Sequence, residues 1–225
     1  MLIMNKATKK YDNGRGITDI SYTLDRGKIY SLIGPNGSGK TTLVKCIAGM
    51  LNLSSGTIEL NGYNTLRRDI KAEIGYALEE QDVYPDMTIY ELLDLVNEIK
   101  YQGEFREQVD SLLKSFELWE HRHMLYEKCS YGMKKKTGVC ISFLGNPTLI
   151  LLDEPTNGID TKGIITLKKE ILRAKENESI VLITSHVLDF VRKVADWNLF
   201  LKEGKIASCL GNDVNLEMEY EQLYF

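Results

Sequence analysis

The sequence predicts an α/β layered domain built around a central parallel sheet. Three observations point to it. Strand-like and helix-like segments alternate along the chain. Thr148–Leu152 and Ile180–Thr184 are short apolar runs, the pattern of strands buried on both faces. A third apolar run, Lys28–Ile33, passes through a glycine-rich loop directly into a helix.

In chain order, Leu2–Ala7 and Ile17–Leu24 read as strands, the second with alternating polarity, and form an N-terminal β part. Lys28–Ile33 is followed by a helix over Lys40–Met50. Thr57–Leu60 is a strand that stops at the turn dipeptide Asn61-Gly62. Then the texture changes. Thr88-Ile89-Tyr90-Glu91 is a capping box that starts an amphipathic helix to about Ile99. Phe105–Phe116 is a second helix, and Tyr131–Leu144 a third, ending near Asn146-Pro147. Residues of about 86–146 therefore form a mostly helical insertion between α/β portions at 1–85 and 147–225. Thr161–Ala174 is the helix joining the two apolar strands, Asn198–Leu201 and Lys205–Cys209 make a hairpin across Glu203-Gly204, and Leu216–Phe225 is a short amphipathic helix.

Composition narrows the class. The chain has 225 residues, 27% charged and 43% hydrophobic, as a folded domain does and a disordered chain does not. No linker or internal repeat divides it, so residues 1–225 read as one domain. Twenty-eight basic against 32 acidic residues leave a net charge of −4, which argues against a nucleic-acid partner. No apolar run approaches the roughly 18–20 residues that cross a bilayer, and the N-terminal residues lack the apolar core of a signal peptide. The reading is a cytoplasmic chain that meets a membrane only through a partner. Cys46, Cys129, Cys140 and Cys209 are scattered without a C-x-x-C pair and read as buried thiols. His121 and His123, two apart, share no helix face and read as surface residues.

Gly34-Pro35-Asn36-Gly37-Ser38-Gly39-Lys40-Thr41 fits G-x-x-x-x-G-K-[ST] in the context that the pattern requires, after a strand and before a helix. The glycines let the backbone turn its N–H groups toward an anion, and the helix opened by Lys40, Thr41 and Thr42 adds its positive end. The Lys40 ammonium can reach the β- and γ-phosphates, and the Thr41 hydroxyl can ligate Mg²⁺. A phosphate site also needs an acid at a neighbouring strand end. Asp153 follows Leu149–Leu152 and is placed to hold the Mg²⁺ hydration shell. Glu154, one residue on, can accept a proton from water.

At this point the sequence resembles the ATP-binding cassette (ABC) ATPases, members of the P-loop NTPases. Asp153-Glu154-Pro155-Thr156-Asn157-Gly158-Ile159-Asp160 is similar to the Walker B and D-loop run of that family, Ile183-Thr184-Ser185-His186 to its switch histidine, and Cys129-Ser130-Tyr131-Gly132-Met133 to its L-S-G-G-Q signature. The resemblance covers essentially the whole chain and includes the helical insertion. It implies a head-to-tail dimer, in which ATP held by one cassette is closed over by Ser130, Tyr131, Gly132 and Met133 of a second cassette. It further implies Glu154 as general base, His186 at the γ-phosphate, Asp160 against the opposite protomer, and Tyr11 stacked on adenine. Lys134-Lys135-Lys136 reads either as a solvated helix face or as positive potential near the partner's nucleotide.

Three departures bear on function. Glu79 stands where the family usually has a glutamine, and a carboxylate there would bind Mg²⁺ more strongly. Tyr131 and Met133 replace a glycine and the glutamine of the signature; together with Glu79 they are similar to the antibiotic and peptide (bacteriocin, lantibiotic immunity) exporter branch. Thr137 and Cys140 read as packing variation. The implied function is the ATP-hydrolysing subunit of an exporter of peptide, antibiotic or lipid-like compounds, with separate transmembrane permease subunits. An importer ATPase, or a soluble ABC ATPase in assembly or nucleic-acid processes, remains as the alternative.

Overall fold

The computed structural model describes residues 1–77 and 84–225. The described strands are β1 (Leu2–Lys10), β2 (Gly16–Leu24), β3 (Ile29–Ile33), β4 (Ser55–Leu60), β5 (Tyr63–Asn64), β6 (Ile74–Ala77), β7 (Leu149–Asp153), β8 (Ile180–Thr184), β9 (Trp197–Lys202) and β10 (Lys205–Gly211). The helices are α1 (Lys40–Ile47), α2 (Ile89–Tyr101), α3 (Arg106–Ser115), α4 (Tyr131–Phe143), α5 (Thr161–Glu176), α6 (Leu188–Arg192) and α7 (Leu216–Tyr224).

The strands form two sheets. One is antiparallel, in the order β2-β1-β4-β5; the other runs β10-β9-β3-β8-β7-β6. In the larger sheet β9, β3, β8, β7 and β6 are parallel, and only β10 is antiparallel, paired to β9 across the Glu203-Gly204 turn. The apolar strands at its centre have a core on each side. Ile150, Leu152, Val181 and Ile183 face one cluster, with Phe116, Val139 and Phe200. Leu149, Leu151, Ile180 and Leu182 face the other, with Leu2, Ile17, Leu43 and Ile58. Alternate residues of a strand point to opposite faces, so a strand with two cores has no polar side to show in its sequence.

The insertion supplies α2, α3 and α4. The predicted capping box forms in full: Thr88 N–H donates to Glu91 Oε2 at 2.8 Å, and Glu91 N–H to Thr88 Oγ1 at 3.2 Å. Among the described residues no helix is long and apolar enough to cross a membrane.

Several boundaries differ from expectation. The first helix stops at Ile47, not Met50, because Gly49 takes φ +63° and Met50 N–H turns back to Lys45 O at 2.9 Å, a glycine-terminated helix end. β1 runs on to Lys10 despite register irregularities at Met4–Ala7 and Ala7–Lys9 that interrupt its polarity pattern. α6 was not foreseen, since five residues are too few to display a helical period. The lysines of α4 do not form a solvated face: Lys135 and Lys136 are buried. His121 and His123 are exposed, as expected. Cys46, Cys129 and Cys140 are buried; Cys209 is half-buried and all four are free thiols. Thr137 and Cys140 are fully buried and pack inside the molecule.

Candidate functional site

The sheet topology assembles the site. β3, β8 and β7 are adjacent and parallel, so their carboxyl ends open on one edge. The phosphate loop leaves β3, His186 follows β8, and Asp153 and Glu154 end β7. Between them lies a cleft of about 680 Å³. Tyr11, Gly34, Pro35, Asn36, Gly37, Gly39, Lys40, Thr41, Thr42, Asp153, Glu154 and His186 line it, all of them site residues expected from the sequence.

The loop needs its glycines. Gly39 caps α1 at φ +108°, and a Cβ there would come within 2.9 Å of Gly16 O. The Lys40 ammonium reaches back across the turn to Gly34 O at 2.8 Å and Pro35 O at 3.2 Å. Ser38 does not line the cleft. It is buried beneath the loop, and its carbonyl accepts from Gly204 N–H at 2.9 Å. The β9–β10 turn is thereby wedged under the phosphate loop, with Gly204 O accepting from Thr18 N–H at 2.8 Å on its other side.

The acids are held by one hydroxyl. Thr184 Oγ1 donates to Asp153 Oδ1 at 2.5 Å and accepts from Glu154 N–H at 2.9 Å. Asp153 is 1% exposed, and its Oδ2 has no hydrogen-bond partner among the described residues. An ionised carboxylate oxygen left this way costs several kcal/mol unless a cation or its water satisfies it. Glu154 takes φ +46°, a left-handed conformation that costs a non-glycine residue about 1–3 kcal/mol and recurs where function demands it. This turn brings Glu154 Oε2 to 2.9 Å from His186 Nδ1. Tyr11 is half-exposed at the rim with Lys9 Nζ 5.7 Å from its ring centre.

Ser130, Tyr131, Gly132, Met133 and Asp160 lie outside this cleft. Ser130 caps α4 by accepting from Met133 N–H at 3.2 Å, which leaves its own proton free to donate. Tyr131 is exposed, and its ring packs on Gly158: a Cβ there would lie 2.3 Å from it. Asp160 caps α5 through Gly163 N–H at 2.9 Å and pairs with Lys136 at 3.0 Å. Lys136 beside it and that N–H hold the Asp160 carboxyl below the usual range. Glu79 lies outside the described residues.

Asn13, Arg15, Gly16 and Tyr220 also line the cleft and escaped sequence reasoning; Asn157 lines it too, and sequence reasoning placed it in the D-loop run without a role. Arg15 sits in the β1–β2 turn, where Tyr11 N–H bonds to Arg15 O at 2.9 Å, so its proximity to Tyr11 was a usable signal. Tyr220 comes from α7, far along the chain, and gave none.

Residues 17–157 match the ABC transporter family. The chain is 34% identical to the lantibiotic transport ATP-binding protein SrtF of Streptococcus pyogenes, over 98% of this chain and 92% of that protein. It is 32% identical to the bacitracin transport ATP-binding protein BcrA of Bacillus licheniformis, over 88% of this chain and 66% of that one. Among solved structures, the ATP-binding subunit of an ABC transporter superposes with a TM-score of 0.93 at 25% identity, each chain covered in full. A dimeric ATP-binding cassette in a post-hydrolysis state with ADP and Pi superposes at 0.84, with 23% identity over 96% of this chain and all of that one. With a phosphate loop, paired acids and histidine converging on one cleft, the chain belongs to the ABC transporter family as one of its ATP-binding, ATP-hydrolysing cassettes.

Proposed function

We propose that this cassette drives an exporter of peptide, antibiotic or lipid-like cargo, working with separate transmembrane permease subunits on the cytoplasmic face of the membrane. The cargo reading is supported by the relatives, which are lantibiotic and bacitracin transport ATP-binding proteins. Residues 86–146 act as the helical subdomain that meets the permease, and 1–85 with 147–225 as the nucleotide-binding core.

The observation that carries the catalytic reading is the Glu154–His186 contact at 2.9 Å beside the buried, half-satisfied Asp153. Mg²⁺ fits this donor set: the Thr41 hydroxyl as a ligand, and Asp153 Oδ2 accepting from its water, with Glu79 as a further candidate. When bound, the ion neutralises charge developing on the phosphates. Lys40 and the loop N–H groups bind the β- and γ-phosphates. Tyr11 stacks on the adenine. Glu154 takes the proton of the attacking water, while His186 Nδ1 holds one carboxylate oxygen and keeps the other aimed at that water. Ser130, Tyr131, Gly132 and Met133 complete the site of a second copy, and Asp160 lies along the shared interface.

Two variants test this. Glu154→Gln keeps the shape and removes the base, so turnover falls about 10²–10⁴-fold with ATP affinity retained. Unchanged turnover removes Glu154 from that role. Lys40→Ala loses ATP binding in an equilibrium titration; retained affinity overturns the phosphate-loop assignment. Co-purification of the chain with an integral membrane protein tests the transport reading.

A further inference from the structure

α7 is remote in sequence from every motif above, yet it touches the nucleotide site at two points. Tyr220 lines the cleft together with Tyr11, the phosphate loop and His186. One turn on, the Tyr224 hydroxyl reaches Leu201 O at 3.0 Å and Ile33 O at 3.3 Å. Ile33 is the last residue of β3, directly before Gly34. Leu201 O lies against Gly34 itself, since a Cβ on that glycine would come within 2.6 Å of it. A single phenolic proton thus bridges two adjacent strand ends at the point where the phosphate loop departs.

The helix is fastened well enough to transmit this. Asn215 caps it by accepting from Met218 N–H at 3.2 Å. Lys202 Nζ donates to Leu223 O at 2.5 Å, and Ser208 Oγ bonds Glu219 at 2.7 Å. Glu217 pairs with Arg192 at the end of α6, the helix that follows His186. Tyr220 and Tyr224 pack on one another with ring centres 4.6 Å apart. Burial and the neighbouring Tyr220 and Glu219 push the Tyr224 phenol up, so it keeps the proton that it shares.

We propose that α7 is a working wall of the ATP site: Tyr220 contacts the bound nucleotide through its ring, and Tyr224 is a positioning residue that holds the root of the phosphate loop through Ile33 O and Leu201 O. The proposal rests on the nucleotide site described above. An aromatic face tolerates many partners and needs no donor, so the ring rather than the hydroxyl of Tyr220 does the binding. Tyr224 works in the opposite way: its ring packs against the core, and its hydroxyl does the positioning.

Equilibrium titration of the full chain with ATP separates these roles. Wild-type binding tests the site itself; the differences between variants test α7. Tyr220→Ala raises the ATP Kd roughly 3- to 10-fold, and Tyr220→Phe restores it. Tyr224→Phe raises the Kd roughly 2- to 10-fold while leaving the ring in place. A helix that only packs would lower the melting temperature without nucleotide and leave the Kd of the folded protein unchanged, and that result overturns the proposal. Should Tyr220→Ala fail to fold, Tyr220→Trp puts a fluorophore in the cleft. Its emission, measured against the wild-type background of Trp119 and Trp197, changes on saturation with ATP, and an unchanged emission equally overturns it.

Discussion

Thr184 does at the residue scale what no motif assigns to it. Its hydroxyl is fully buried, gives its proton to Asp153 and accepts the N–H of Glu154, whose backbone is held in a left-handed turn. Thr184→Val conserves shape, strands Asp153 Oδ1 and leaves Glu154 N–H only the Thr184 carbonyl at 3.2 Å, so unfolding stability drops by about 1–3 kcal/mol in a urea titration, and turnover falls with it. A loss below about 0.5 kcal/mol would show that water replaces the hydroxyl at no cost. The acids, the lysine and the histidine could be expected at one site because each stands in a recognisable motif, and they do line one cleft. Thr184 could not, because its task depends on Asp153 lying opposite Thr184 in the β7–β8 register, which neither strand's sequence states. Gly204 is a second such residue. At φ +76°, with Gly16 O only 2.4 Å from a Cβ placed there, it lets the β9–β10 turn slip under the phosphate loop. Gly204→Ala costs about 1–3 kcal/mol and weakens ATP binding, as calorimetry of folding and binding can read together.

At the scale of elements, α4 meets the segment that leads into α5 near the signature. Tyr131 rests on Gly158, and Lys136 pairs with Asp160. The lysine run was legible as charge but not as geometry. A helix of mixed polarity shows no clear apolar stripe, and Lys136 is buried against the start of α5, beside Asp160 and Gly163. The pair has a pH consequence. The Asp160 carboxyl is held below its ordinary value, so the stability that it adds is present above about pH 4 and is lost as pH falls through the lowered value. Asp160→Asn removes that acid-side dependence, and because the carboxylate is largely exposed, salt weakens it too. α2 carries the reverse case. Burial, with Lys71 nearby, lowers the Lys100 pKa from 10.5 to about 8. The unfolded chain binds the extra proton between these values, so this group's contribution to stability rises from pH 8 to 10.5 and is lost again as pH falls from 10.5 to 8. Lys100→Met flattens that alkaline rise, by an amount on the order of 2–3 kcal/mol, in denaturant titrations run across the interval. An identical slope in both proteins would contradict the burial of the charge.

For the whole molecule, the sequence made the layered α/β plan readable because apolar runs and the strand–loop–helix transition have few alternative meanings. It did not reveal the division of labour between cores. Ile150 and Leu151 look equivalent in sequence, yet they face opposite sides of the sheet. Nor did it reveal that α7 closes back on the site. The signature segment is the reverse case: recognisable by residue type, yet none of its residues lines the cleft of its own chain. The proposed head-to-tail pairing would bring it to the cleft of a second copy. Tyr131 beside the Ser130 cap is bulky, but its ring is turned onto Gly158, which leaves the cap open to a partner.

The head-to-tail arrangement is tested most directly by mixing two inactive forms, Lys40→Ala and Ser130→Arg, and measuring ATP hydrolysis. In a mixed pair, one site combines the intact phosphate loop of one chain with the intact Ser130 of the other. A head-to-tail pair gives turnover clearly above that of either protein alone, falling again when Glu154→Gln is added to the Ser130→Arg chain. A mixture no more active than its components would contradict it.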